Sequence, residues 1–164
     1  MLVRSMISSA QRLTYNVCLG NYPLLDLQQL HTSLVDRTRI AQCILATVIS
    51  YYPGRGTDET DEALCDAGAI AMSKDTGPSG TFGEIVGKSW KLGRISQEHG
   101  TLTRNRDSGP PTGDDALQVG DVVRIVGQHA CLTLAGHLWY YIVDSDIEGG
   151  GQIVEDVWVP WKGW

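Results

Sequence analysis

A histidine and a cysteine two positions apart are the residues of this sequence best suited to chemistry. His129 and Cys131 lie in residues 120–134, a run that predicts one long strand. Side chains at i and i+2 share a strand face, so the imidazole and the thiolate would both reach one zinc ion. Two ligands do not close a metal site, and a buried cysteine beside a hydrogen-bonded histidine is the commoner arrangement. The pattern leaves metal binding and plain packing open.

Three other stretches carry polar residues at turns. The turn GNYP at residues 20–23 precedes leucines with helical spacing, and backbone N–H groups at a helix start bind anions, although a plain connector is the simpler interpretation. Asp75 lies in the turn KDTGP, where an aspartate ordinarily caps the turn. His99 follows Glu98, which could orient an acid–base imidazole, whereas a surface histidine in a loop is the simpler explanation.

Composition limits the classes of protein to which the chain can belong. Its 164 residues are 42% hydrophobic, which predicts one domain with a real core. The net charge of −6 gives no electrostatic footprint for nucleic acid or for an anionic membrane surface. The 4 cysteines are irregularly spaced without a CxxC pair, which is typical of reduced thiols in an intracellular, cytoplasmic protein. No apolar run is long enough to span a bilayer.

Segments with strand character dominate the sequence. Residues 40–50 form a continuous apolar, β-branched run that predicts a fully buried strand. Residues 139–144 and 153–159 predict further strands around an acidic, glycine-rich turn, and the leucines of residues 24–34 predict a helix. We therefore expect a mainly β (α+β) fold with antiparallel strands and one or two short helices.

The order of these motifs resembles a known family. HAC, YYIVDSD and DVWVPWKGW follow one another at the C-terminal end, and GNYP-x-x-DLQQ, DAG, SKD and EHG occur upstream in the same order. This arrangement resembles the D-serine dehydratase-like domain family, which comprises metal-activated pyridoxal-phosphate enzymes such as D-serine dehydratase and D-threonine aldolase. The match starts near residue 16 and covers most of the chain from there to its C-terminal end.

The resemblance implies a role for each candidate. His129 and Cys131 match the family's zinc ligands. Asp75 falls on the active-site side as a candidate contact to the metal-bound water, and His99, in the EHG triplet, is a further site residue without a defined role. The residues expected at the phosphate of pyridoxal phosphate are Gly20, Asn21 and Tyr22.

The resemblance also implies a domain plan. Residues 1–15 form an unmatched extension, residues 16–36 are a remnant of the last strand and helix of the cofactor-binding barrel, and residues 37–164 are the antiparallel β C-terminal domain of a fold-type III pyridoxal-phosphate enzyme. Family members are homodimers. None of the matched segments contains the family's Schiff-base lysine, so we expect a fragment that is inactive by itself.

The reaction implied by the family is zinc-assisted elimination of D-serine to pyruvate and ammonia. An aldolase acting on a D-β-hydroxy amino acid is one alternative, but such enzymes tend to have aspartate where this chain has Cys131. A catalytically inactive zinc-binding or interaction module is another, because it would keep the metal pair and lack the lysine.

Overall fold

Antiparallel β-strands are the main regular secondary structure of the described residues. The computed structural model describes residues 2–4, 21 and 23–161. Gly20 and Tyr22 lie outside the described residues. The strands are β1 Leu2–Arg4, β2 Gln42–Tyr52, β3 Glu62–Cys65, β4 Gly83–Ile85, β5 Trp90–Ile95, β6 Gly100–Arg104, β7 Val122–Gly127, β8 Tyr140–Val143 and β9 Asp156–Trp158. The helices are α1 Leu27–His31, α2 Ala69–Met72 and α3 Ala130–Gly136.

Six of the strands close into a ring. The sheet runs in the order β3-β6-β5-β4-β7-β2-β1-β8-β9, and an additional pairing of β3 with β2 joins the first six strands into a small barrel. These pairs are antiparallel, whereas β1 and β8 run parallel. The mainly β, antiparallel fold class expected from the sequence is confirmed.

Side chains that point into the barrel form its core. Trp90 is 1% exposed and meets Tyr51 edge-on, with the ring centroids 6.1 Å apart. Aliphatic residues from five strands pack around them: Val48, Leu92, Leu102, Val123, Ile125 and Ile85. Burial of such side chains contributes roughly 1.5 to 3 kcal/mol each to stability, so the barrel core is a main source of the stability of the fold.

Two expectations for the first half of the chain need correction. Strand β2 forms where the apolar run predicts it, but Leu45 and Ile49 are 42% and 40% exposed, because alternate positions of a barrel strand face outward. Helix α1 is only 5 residues long, and the leucine stripe does not continue to Leu34, which is 80% exposed. The segment is therefore a single capped turn followed by a loop.

The prediction of one strand over residues 120–134 is wrong in its second half. Strand β7 ends at Gly127, and α3 begins three residues later at Ala130. The run ACLTLA suits either a strand or a helix, and in the structure it forms α3. Among the described residues, no helix is long and apolar enough to cross a membrane.

Candidate metal centre

His129 and Cys131 lie at the start of α3 and not on one strand. His129 is the N-cap residue, with an extended backbone at φ −139° and ψ 102°, and Cys131 lies in the first helical turn. Both side chains are half-buried. The expected shared strand face is therefore replaced by a strand-to-helix junction, in which His129 precedes α3 and Cys131 is its second residue.

Asp75 contacts the imidazole directly. Nδ1 of His129 lies 2.5 Å from Oδ2 of Asp75, and the two side chains are 30% and 35% exposed. Because a carboxylate only accepts, the proton is assigned to Nδ1, which leaves the lone pair of Nε2 available. A histidine oriented by a carboxylate in this way is the usual arrangement behind a metal ion.

Helix α2, which directly precedes the loop of Asp75, is anchored to α3. Thr133 is buried, and its hydroxyl donates to the Met72 carbonyl over 2.9 Å. Nε2 of His137, at the C-terminal end of α3, lies 3.0 Å from the Ala71 carbonyl oxygen. Between α2 and Asp75, Ser73 has φ 82°, a strained value for a residue with a side chain. Sequence patterns do not mark Thr133 or His137, since each acts through a backbone carbonyl far along the chain.

A buried carboxylate joins α1 to α3. Asp26 is fully buried; its Oδ1 accepts the backbone N–H groups of Gln28 and Gln29 over 3.0 and 3.3 Å, which caps α1. Its Oδ2 accepts the N–H of Ala130 over 2.7 Å and the side-chain amide of Asn21. Asn21, expected near a cofactor phosphate, is therefore linked through one carboxylate to the segment that holds His129.

His99 lies apart from this pair. It is exposed in the turn between β5 and β6, where its carbonyl accepts the N–H of Ser96 over 2.8 Å. The same turn docks on the start of α2, since Ala69 donates to the Ser96 carbonyl over 2.8 Å. The turn of His99 therefore contacts the start of α2, whereas the loop of Asp75 follows the end of that helix.

The donor set suits zinc in an open site. Imidazole nitrogen and thiolate are ligands that zinc accepts readily. Within the described part of the chain, no group of three or more histidine, cysteine, aspartate or glutamate side chains is arranged to hold a metal ion. A metal here would have two protein ligands from these residues and further positions for water or substrate.

The other described cysteines are poor candidates for metal ligands. Burial raises the pKa of Cys43 to about 11, and burial also raises the pKa of Cys65. Both therefore remain protonated thiols at neutral pH, while metal ligation needs the thiolate. Cys131 is the least buried of the three.

Comparison with known proteins assigns the chain to a family. The family model described as a putative serine dehydratase domain matches residues 41–143. D-serine dehydratase of Schizosaccharomyces pombe is 43% identical over 148 residues, which are 88% of this chain and 33% of that protein. D-serine dehydratase of Saccharomyces cerevisiae is 33% identical over 162 residues, which cover 92% of this chain and 35% of that protein. The chain thus spans about a third of the length of these relatives.

Solved structures share the fold. D-threo-3-hydroxyaspartate dehydratase from Delftia sp. HT23 superposes with a TM-score of 0.70 at 29% identity, over 88% of this chain and 38% of that one. Two further structures are variants of a D-threo-3-hydroxyaspartate dehydratase, each 28% identical to this chain. In one, which is in a metal-free form, alanine replaces a cysteine; its TM-score is 0.70, over 88% of this chain and 38% of that one. In the other, alanine replaces a histidine two positions before that cysteine; its TM-score is 0.67, over 86% of this chain and 36% of that one. The chain belongs to the family of putative serine dehydratase domains.

Proposed function

We propose that this chain is the metal-binding part of a lyase of the D-serine dehydratase type. The single observation that carries the proposal is the junction at α3, where His129 and Cys131 stand two positions apart and Asp75 contacts Nδ1 of the histidine. Two D-serine dehydratases at 43% and 33% identity support D-serine as the substrate. The relative whose cysteine variant is metal-free has the same histidine-to-cysteine spacing, which supports the choice of ligands.

Each residue then has a defined task. Asp75 holds the Nδ1 proton and so keeps Nε2 of His129 as the ligand atom. Cys131 supplies a thiolate from the first turn of α3. His129 and Cys131 would hold a zinc ion, which would supply Lewis-acid assistance to the departure of the substrate's β-hydroxyl group. The chain's own contribution is to fix two ligands and to leave the remaining positions open for that hydroxyl.

Pyridoxal phosphate is the second proposed cofactor. It supplies an electron sink for the amino acid when bound. We assign Asn21, with Gly20 and Tyr22, to its phosphate. Asn21 is held by Asp26, and α1 begins at Leu27. All three assignments rest on the family motif.

The remaining expectations form part of the same proposal. We assign residues 16–36 to the end of a cofactor-binding barrel and residues 37–164 to the C-terminal β domain of a cytoplasmic homodimer. His99 is proposed as a further site residue without a defined role. It would join the site through an approach of the partner subunit or of the barrel to its turn. D-threo-3-hydroxyaspartate is a second candidate substrate, favoured by the TM-score of 0.70 with the Delftia enzyme, but the lower identity of 29% ranks it after D-serine.

Titration with zinc under reducing conditions tests the proposal. The chain should bind one zinc ion, and His129→Ala and Cys131→Ala should each abolish stoichiometric binding, because a single protein ligand does not hold the metal. His99→Ala is the matched control, since it removes an exposed imidazole outside the pair. Equal zinc content in the wild type and in the double variant would refute the metal centre. Added D-serine and pyridoxal phosphate should release no pyruvate from the isolated chain, because its matched segments lack the cofactor lysine.

A further inference from the structure

The carboxylate of Asp26 does more than cap a helix. A helix N-cap needs one side-chain oxygen, and Oδ1 of Asp26 fills that role toward Gln28 and Gln29. Oδ2 faces the other way and accepts the N–H of Ala130 over 2.7 Å. Serine or asparagine would cap α1 equally well, so capping alone does not account for a second, fully buried carboxylate oxygen.

The N–H that Oδ2 accepts stands between the two proposed metal ligands. Ala130 separates His129 from Cys131, and it is the first residue of α3. A second bond ties the same elements together, because the N–H of Gln28 donates to the Gln128 carbonyl over 3.3 Å. The backbone on both sides of His129 is therefore fixed from α1, while Asp75 fixes its ring.

We propose that Asp26 is a positioning residue of the metal centre, acting through the backbone of Ala130 to set the relative placement of His129 and Cys131. This inference rests on the proposed metal site. Oδ2 of Asp26 also accepts the side-chain amide of Asn21, so one carboxylate bridges the turn assigned to the cofactor phosphate and the residues assigned to the metal. A displacement of Asp26 would move both half-sites together.

Two variants separate this role from helix capping. Asp26→Asn keeps a carbonyl oxygen for the α1 cap but turns an NH2 group toward Ala130, where an acceptor is needed. Asp26→Ser caps α1 with a side chain too short to bridge to α3. The matched control is Asp115→Asn, because Asp115 also accepts a backbone N–H, that of Ser89 over 2.7 Å, at a place remote in the fold from α3.

Cobalt is the probe, because its absorption reports a bound thiolate as well as the affinity. We expect both Asp26 variants to weaken cobalt binding by about 10- to 100-fold, the range found for groups that orient metal ligands. The thiolate-to-cobalt absorption at saturation should also fall. Hydrogen exchange at the Ala130 amide should accelerate relative to that of Thr133, whose N–H bonds to the His129 carbonyl over 3.2 Å. The control should lose stability and keep both the cobalt affinity and the spectrum.

The outcomes distinguish this inference from the proposed function. If the wild type binds no cobalt, the metal site itself is absent. Cobalt binding in the wild type together with unchanged affinity in both Asp26 variants overturns the positioning role and leaves the metal site standing. An equal loss of affinity in Asp115→Asn would show that the effect follows general stability, which also overturns it.

Discussion

The contact between Asp75 and His129 makes a graded prediction about metal affinity. Asp75→Asn keeps a carbonyl oxygen that accepts the Nδ1 proton but removes the charge, whereas Asp75→Ala removes the acceptor altogether. Without an acceptor, the imidazole is free to rotate and to place its proton on Nε2, the atom assigned to the metal. The affinity for zinc should therefore fall in the order wild type, Asp75→Asn, Asp75→Ala.

The size of each step depends on the exposure of the pair. Loss of a group that orients a metal-ligating histidine costs about 10- to 100-fold in affinity, or roughly 1.4 to 2.7 kcal/mol. The two side chains are 30% and 35% exposed, so solvent screens the charge-dependent part. We therefore expect about tenfold for Asp75→Asn, where only the charge is lost, and about 100-fold for Asp75→Ala.

Competition with a chromophoric chelator at neutral pH measures these affinities directly. Asp66→Asn is the matched control, because Asp66 is also an exposed carboxylate that accepts a backbone N–H, that of Thr47 over 2.6 Å. It should bind zinc as the wild type does. If Asp75→Ala bound zinc as tightly as the wild type, the imidazole would be oriented by something other than this carboxylate, and the reasoning would fail.

Two further predictions concern stability. Burial raises the pKa of Asp115, but the N–H of Ser89 and the Arg104 guanidinium outweigh it and hold the pKa below its usual value of 3.8. A carboxyl group whose pKa is lowered in the folded state stabilises the protein above about pH 4, and this stabilisation is lost as the pH falls through the folded pKa. Asp115→Asn should therefore be less stable than the wild type near neutral pH and lose less stability on acidification. Urea unfolding at several pH values measures both effects. Ser73→Gly should raise the free energy of unfolding by about 1 kcal/mol, because glycine adopts φ 82° without strain.

Each of these predictions has an outcome that contradicts it. A parallel pH profile in Asp115→Asn and in the wild type would show that this carboxylate does not contribute to acid unfolding. Ser145→Gly is the control for the Ser73→Gly prediction. Ser145 does not have a positive φ, so glycine at that position should lower the stability. If both glycine variants were destabilised alike, Ser73 would carry no strain.

The sequence predicts the fold class but not the geometry of the site. The β-branched run of β2 favours a strand through its own side chains, and the strand forms where the sequence predicts it. The assignment of residues 128–134 fails because an apolar run of that length suits both a strand and a helix. In the structure the first N–H of α3, that of Ala130, donates to Asp26. That partner lies far away in the sequence, as does Asp75 relative to His129. Residue types therefore suggest the proposed metal pair, His129 and Cys131, while the surroundings of these residues depend on tertiary contacts.

The bond between Asp26 and Ala130 also bears on the order in which the chain folds. The two residues are 104 positions apart, and closing a loop of that length costs on the order of 4 kcal/mol of chain entropy. A single hydrogen bond returns only about 1 kcal/mol, so this contact forms after the intervening strands have assembled. The proposed ligand pair, His129 and Cys131, is thus expected to reach its final arrangement late in folding, after the barrel has closed.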